Sequence, residues 1–166
     1  MTQIWHFDQV HAGLAIVPGP LTVVPVAIMT GRLAGRYGHR RFLVSGALLY
    51  ALTGLWFYFV PGTSPEYFSR WLPGLFMSGA SVGLVMPSLS GAAVARLPAE
   101  HYAVGSAVNQ ATRQIGSVIG VALIVMLLGN GVVTRGNFNA VYGAHIFLAL
   151  LTALLCAFVQ TRRTAT

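Results

Sequence analysis

Long apolar runs decide most of what this chain can become. They cover residues 12–31, 42–60, 71–95, 103–129 and 141–160, and only the fourth contains a charged side chain, Arg113. A bilayer core takes about 20 helical residues to cross. Barrel strands are shorter and alternate in polarity, whereas a helix satisfies its own backbone donors and acceptors within one segment. The expected fold class is therefore all-α: a polytopic transmembrane helix bundle of five spans, forming a single membrane domain over residues 1–166.

Composition closes the competing options. Hydrophobic residues make up 55% of the chain and charged residues 8%, with a mean hydropathy of +0.71. A soluble domain carries roughly 25% charged residues, and ten basic and three acidic side chains cannot coat one of this size. Disorder is excluded by the apolar content. The net charge is +7 and every basic residue is arginine. These arginines lie between apolar runs instead of forming a face with stacking aromatics, so nucleic acid is not an expected partner; the lipid bilayer is. The single cysteine, Cys156, allows no internal disulfide.

The connections between the runs are short. Pro61 to Pro65 separates the second and third runs, Leu97-Pro98-Ala99-Glu100 precedes the fourth, and Gly129-Asn130-Gly131 ends it. Arg32, Arg36, Arg40 and Arg41 follow the first run, Arg96 follows the third, and Arg162 and Arg163 follow the fifth. These seven fall on one side, against Arg70 and Arg135 on the other. The positive-inside rule puts the arginine-rich side and the C-terminus in the cytoplasm and the N-terminus outside. A cleaved signal peptide is not expected, because the first run lacks a basic leader and further spans follow it.

Arg113 is the most informative single residue. On a helix starting near Ala99 it lies about 21 Å along the axis, at a depth where an arginine costs roughly 2.5–3.5 kcal/mol to insert. At about 100° per residue, Tyr102, Gly105, Ser106, Asn109, Arg113, Gly116 and Gly120 share one face, and Val104, Val108, Ile115, Val118 and Ala122 share another. Such a polar, small-residue stripe lines a cavity or a tight helix contact. Two roles fit Arg113: snorkelling to headgroups within a structural hydrogen-bond network, or a direct place on a substrate pathway.

The remaining polar residues say less. Gly116 and Gly120, like Gly79 and Gly83, have the spacing of close helix contacts. Pro18, Pro20, Pro25 and Pro87 interrupt helical hydrogen bonds and suggest kinks. His145 lies within the fifth run, where satisfied packing and proton binding near neutral pH both fit. Asp8, Glu66 and Glu100, the three carboxylates, all fall between runs, so no expected span carries an acidic proton relay. His6 and His11 lack partners at metal spacing. No nucleotide-binding or hydrolase motif is present. No catalytic residue, metal or cofactor is therefore expected.

The segment Gly31-Arg32-Leu33-Ala34-Gly35-Arg36-Tyr37-Gly38-His39-Arg40-Arg41 resembles the G-x-L-a-D-r-x-G-r-[kr] loop of the major facilitator superfamily. Ala12 to Pro20 is similar to the A-G-L-a-l-x-P-G start found in the fourteen-helix drug:proton antiporters of that superfamily. The run Gly105 to Gly116 is similar to their G-x-a-x-n-x-x-R-q-x-G stretch near the C-terminus. The three motifs occur in family order and cover most of the chain. One departure is that Gly35 stands where the family's loop carries an acidic residue.

The resemblance implies the C-terminal five helices of a proton-coupled exporter of hydrophobic or drug-like compounds in a bacterial inner membrane. It also implies that this portion alone is not transport-competent, because alternating access rocks two bundles about a central site. Its partners would be a hydrophobic substrate, once the missing helices complete the site, and protons. Gly31, Arg32, Gly35, Arg36, Gly38 and Arg40 would shape a cytoplasmic gate loop. Ser106, Asn109, Arg113, Gly116 and Gly120 would face the bundle interior. The alternative reading is a non-transporting membrane module acting as an assembly partner or relic.

Overall fold

The computed structural model describes residues 8–60, 66–129 and 135–159. His6, the Pro61–Pro65 connection, Asn130, Gly131, Arg162 and Arg163 lie outside the described residues. The described chain is all-α, with helices α1 (Gln9–Ile16), α2 (Pro18–Tyr37), α3 (His39–Phe59), α4 (Leu72–Val94), α5 (Tyr102–Leu128) and α6 (Arg135–Ala157). A π-turn, Tyr67–Trp71, leads into α4, and a 3-10 turn, Ala99–His101, leads into α5. Five helical stretches are long and apolar enough to cross a membrane: Gly13–Tyr37, His39–Phe59, Tyr67–Val94, Ala99–Leu128 and Gly136–Ala157.

The proline positions explain the breaks. Pro18 has no N–H to donate, so the ladder of α1 stops at Val17 and a new one starts, with Leu21 N–H donating to the Val17 carbonyl at 3.1 Å. Pro73 sits in the first turn of α4, directly after the π-turn. Pro25 and Pro87 lie inside α2 and α4, which continue through them as single helices.

The arginine-rich segment read as a loop is almost wholly helical. α2 continues through Tyr37, α3 starts at His39, and Gly38 alone reverses the chain. Gly38 has φ 88°, a left-handed backbone that favours glycine, and its N–H closes α2 by donating to Ala34 O at 2.9 Å. Ala34 is buried, so Leu33-Ala34 keeps the helix packed past Arg32. Arg36, in the last turn, sits favourably at the helix's negative end.

The packing is inside-out relative to a water-soluble protein. Its buried hydrophobic residues are mostly small, Ala34, Ala47, Ala51, Ala149 and Ala153, and the buried polar ones are Thr30, Thr53, Ser81 and Ser88. Large residues such as Leu14, Ile28, Val118, Met126, Phe147 and Leu155 are exposed. Small side chains let backbones approach closely, which is how helices associate without a hydrophobic driving force between them.

α4 packs along both α2 and α3, and α3 packs along α6. α2 and α4 run parallel: a Cβ on Gly79 would strike the Gly19 carbonyl oxygen and lie 2.9 Å from Thr22 Cβ, and one on Gly83 would lie 2.8 Å from Val26 Cβ. α3 runs antiparallel to α4, with Phe57 against Gly74 at one end and His39 against Gly91 at the other. α2 and α3 touch each other only lightly, because α4 lies across both. α5 and α6 also touch lightly, but no described helix lies across that pair, and no residue of α5 is buried.

Candidate functional site

The contact between α3 and α6 is built around a histidine. His145 Nε2 lies 3.0 Å from the Tyr50 carbonyl oxygen. A carbonyl only accepts, so Nε2 carries the proton and donates it. The imidazole also lies against the Tyr50 ring, with centroids 4.1 Å apart and the planes tilted by 38°. It fits because residue 54 is glycine, where a Cβ would come within 2.6 Å of His145 Cδ2. Phe57 stacks on Tyr142 one turn away, so the contact continues along both helices.

This pair lies beside a groove of about 380 Å³ between α3, α4, α5 and α6, lined by Tyr50, Ser81, Val85, Gly120, Ile124 and His145 among others. The lining is mainly aliphatic, with few polar groups. The surface therefore suits an apolar guest with limited hydrogen-bonding needs. A second, more open hollow, of about 480 Å³, lies where α4 gives way to α5, against Ala93, Leu97, His101, Gly105, Asn109 and Thr112.

On α5, Gly105, Asn109, Arg113 and Gly120 are half-buried, while Ser106 and Gly116 are exposed. Asn109 borders the second hollow and Gly120 the groove. Arg113 lines neither, and it forms no ion pair among the described residues. A Cβ on Gly116 or Gly120 would meet nothing within 4 Å, in contrast to Gly46, Gly54, Gly74, Gly79 and Gly83, which each abut a neighbouring helix.

In the arginine-rich segment, Gly31, Arg32, Gly35 and Arg36 occupy the last two turns of α2, Gly38 is the joint, and Arg40 is in the first turn of α3. Arg32, Arg36, Arg40 and Arg41 are all exposed. Gly31 and Gly35 have open space around them, so the close turn depends on Gly38. His39 is wedged against Gly91 of α4, which puts this segment and Arg96 at the same end of the bundle. At the opposite end Arg70 Nε pairs with Glu66 at 2.7 Å. There Trp56 donates to the Arg70 carbonyl at 2.8 Å and Tyr67 donates to Ala15 O at 2.7 Å.

Sequence reasoning picked out His145 but not its partners. Helical periodicity shows which face a residue occupies, but not which helix meets that face. The one available clue is Gly54, a glycine in the middle of a helix.

An all-helical bundle with a small-residue core and an apolar exterior defines a polytopic membrane protein. The sequence profile of the Major Facilitator Superfamily matches residues 1–166, and the chain belongs to that family of transporters. It is 30% identical over 131 residues to the Multidrug resistance protein B homolog of Mycobacterium tuberculosis, a match covering 77% of this chain and 24% of that protein. It is 32% identical over 116 residues to the Multidrug resistance protein Stp of the same organism, covering 70% of this chain and 21% of that protein. The Methylenomycin A resistance protein of Streptomyces coelicolor is 28% identical over 146 residues, covering 87% of this chain and 29% of that protein. The chain thus spans about a quarter of the length of these curated relatives. No solved structure matches it.

Proposed function

We propose that these helices act as the C-terminal part of a proton-coupled exporter of hydrophobic, drug-like compounds, working only together with helices supplied by further polypeptide. The observation that carries this reading is α5. It has the length and hydropathy of a membrane span, yet no residue of it is buried. Its Gly116 and Gly120 have the spacing of a close helix contact but meet no described neighbour. α4 covers α2 and α3, and the groove bordered by α5 and α6 would accept a covering helix in the same manner.

In this reading Asn109 and Arg113 face the substrate pathway. The arginine-rich end is cytoplasmic, and the start of the chain lies outside. The carboxylate that binds the proton belongs to the remaining helices, since Asp8 and Glu66 lie outside the five membrane-length stretches and Glu100 sits in the 3-10 turn at the very start of the fourth. The multidrug resistance proteins among the relatives support a hydrophobic, drug-like substrate.

The test is drug-driven proton flux in proteoliposomes. The chain alone should give none, and the chain assembled with the helices that complete it should give flux. Flux from the chain alone would overturn the requirement for further helices. An assembled unit that folds but moves no drug would favour the non-transporting module.

A further inference from the structure

The two ends of the bundle handle their cations differently. At one end, Arg70 is neutralised by the protein's own Glu66 at 2.7 Å. At the other, Arg32, Arg36, Arg40 and Arg41 are exposed, and none forms an ion pair among the described residues. Gly38 is the only residue between α2 and α3, so the last turns of one helix and the first turn of the next hold all four arginines together. The wedge of His39 against Gly91 fixes this corner to α4. Residues 31–41 contain no Asp or Glu, and glycine stands at position 35, where the loop motif is acidic, so this stretch has no carboxylate of its own.

From Arg32 to the end of α2 is roughly 8 Å along the axis, close to the depth of one headgroup layer. Exposed Tyr37 lies among the arginines, an aromatic residue suited to that layer. We infer that this corner is a binding site for anionic phospholipid headgroups, with Arg36, Arg40 and Arg41 closing on the phosphodiester and Arg32 reaching it from one turn deeper. Guanidinium groups match phosphate oxygens in geometry as well as charge. The site selects phosphatidylglycerol-type lipids over zwitterionic ones, because no carboxylate in the cluster is available to pair with an ammonium headgroup.

The test reads lipid selectivity and does not depend on transport, so its failure is separate from failure of the exporter reading. The full chain is reconstituted in phosphatidylcholine bilayers, and the association of spin-labelled phosphatidylglycerol is compared with that of spin-labelled phosphatidylcholine. A cation at the headgroup surface is worth about fivefold in association, so the wild type should prefer phosphatidylglycerol by at least about that factor. The combined Arg36→Gln, Arg40→Gln and Arg41→Gln variant should lose the preference. The matching triple lysine variant, which keeps the charge but not the planar fork, should keep part of it, and Arg70→Gln at the other end should leave it unchanged. If the triple glutamine variant does not fold, Arg40→Gln alone should lower the preference about fivefold. The inference is overturned if the wild type shows no preference or if folded glutamine variants keep it in full. It is also overturned if millimolar inorganic phosphate displaces the labelled lipid, which would make the cluster a site for soluble phosphate.

Discussion

Replacing Gly79 with alanine puts a methyl group where α4 crosses α2. That methyl would lie 2.9 Å from Thr22 Cβ and closer still to the Gly19 carbonyl oxygen. The second neighbour is helix backbone, so no rotamer change relieves the clash and the helices must separate. Overpacking of this kind costs about 1–3 kcal/mol. A glycine-to-alanine change also raises helix propensity by about 1 kcal/mol, which would mask part of the loss. Gly116→Ala is the control, because it has the same propensity gain and no neighbour within 4 Å. The difference between the two variants isolates the helix contact and should reach about 1–3 kcal/mol, or roughly 5- to 150-fold in the unfolding equilibrium. The assay is unfolding in mixed micelles by titration with dodecyl sulfate, followed by tryptophan fluorescence. Gly79→Ala should unfold well before Gly116→Ala. Equal midpoints, or the reverse order, would refute the close α2–α4 crossing.

Other outcomes follow from the same contacts. Tyr67→Phe removes the 2.7 Å bond to Ala15 O and should lower the unfolding free energy in the same assay by about 0.5–1.5 kcal/mol. His145→Leu removes the donor to Tyr50 O and the ring packed against Tyr50, so it should destabilise by about 0.5–1.5 kcal/mol, with part recovered by His145→Asn. In an assembled exporter, Arg113→Leu should reduce drug efflux while membrane insertion, read by immunoblot, stays normal; normal efflux would remove Arg113 from the substrate pathway. Replacing Arg40 and Arg41 together by lysine should preserve topology, since orientation follows charge. A cysteine placed at Tyr37 should then resist labelling from outside the cell.

The five long helices were legible because apolar runs of that length have few alternatives once charge is so scarce. The extent of α2 was less legible. Four arginines in ten residues look like a loop, but arginine is a good helix former, and buried Ala34 ties the segment to the bundle. The break at Val17 could be anticipated at Pro18, whereas Pro25 and Pro87, with the same chemistry, lie inside continuous helices. For the candidate site, the 3.6-residue period placed Asn109, Arg113 and Gly120 on one face, and these are half-buried in the structure. Ser106 sits at the edge of that face and is exposed, but Tyr102 and Gly116 lie near its middle and are exposed as well, so the neighbours of α5 cover this face at only some levels along its length. The Tyr50–His145 pair, 95 residues apart in sequence, was not legible because periodicity carries no distance between helices.

The central claim is that the exposed leucines, valines and phenylalanines are covered by lipid. The most direct measurement is light scattering of the purified chain as detergent is withdrawn. Aggregation, reversed when bilayer discs are supplied, is the predicted result. A monodisperse, helical monomer in plain buffer would contradict the account.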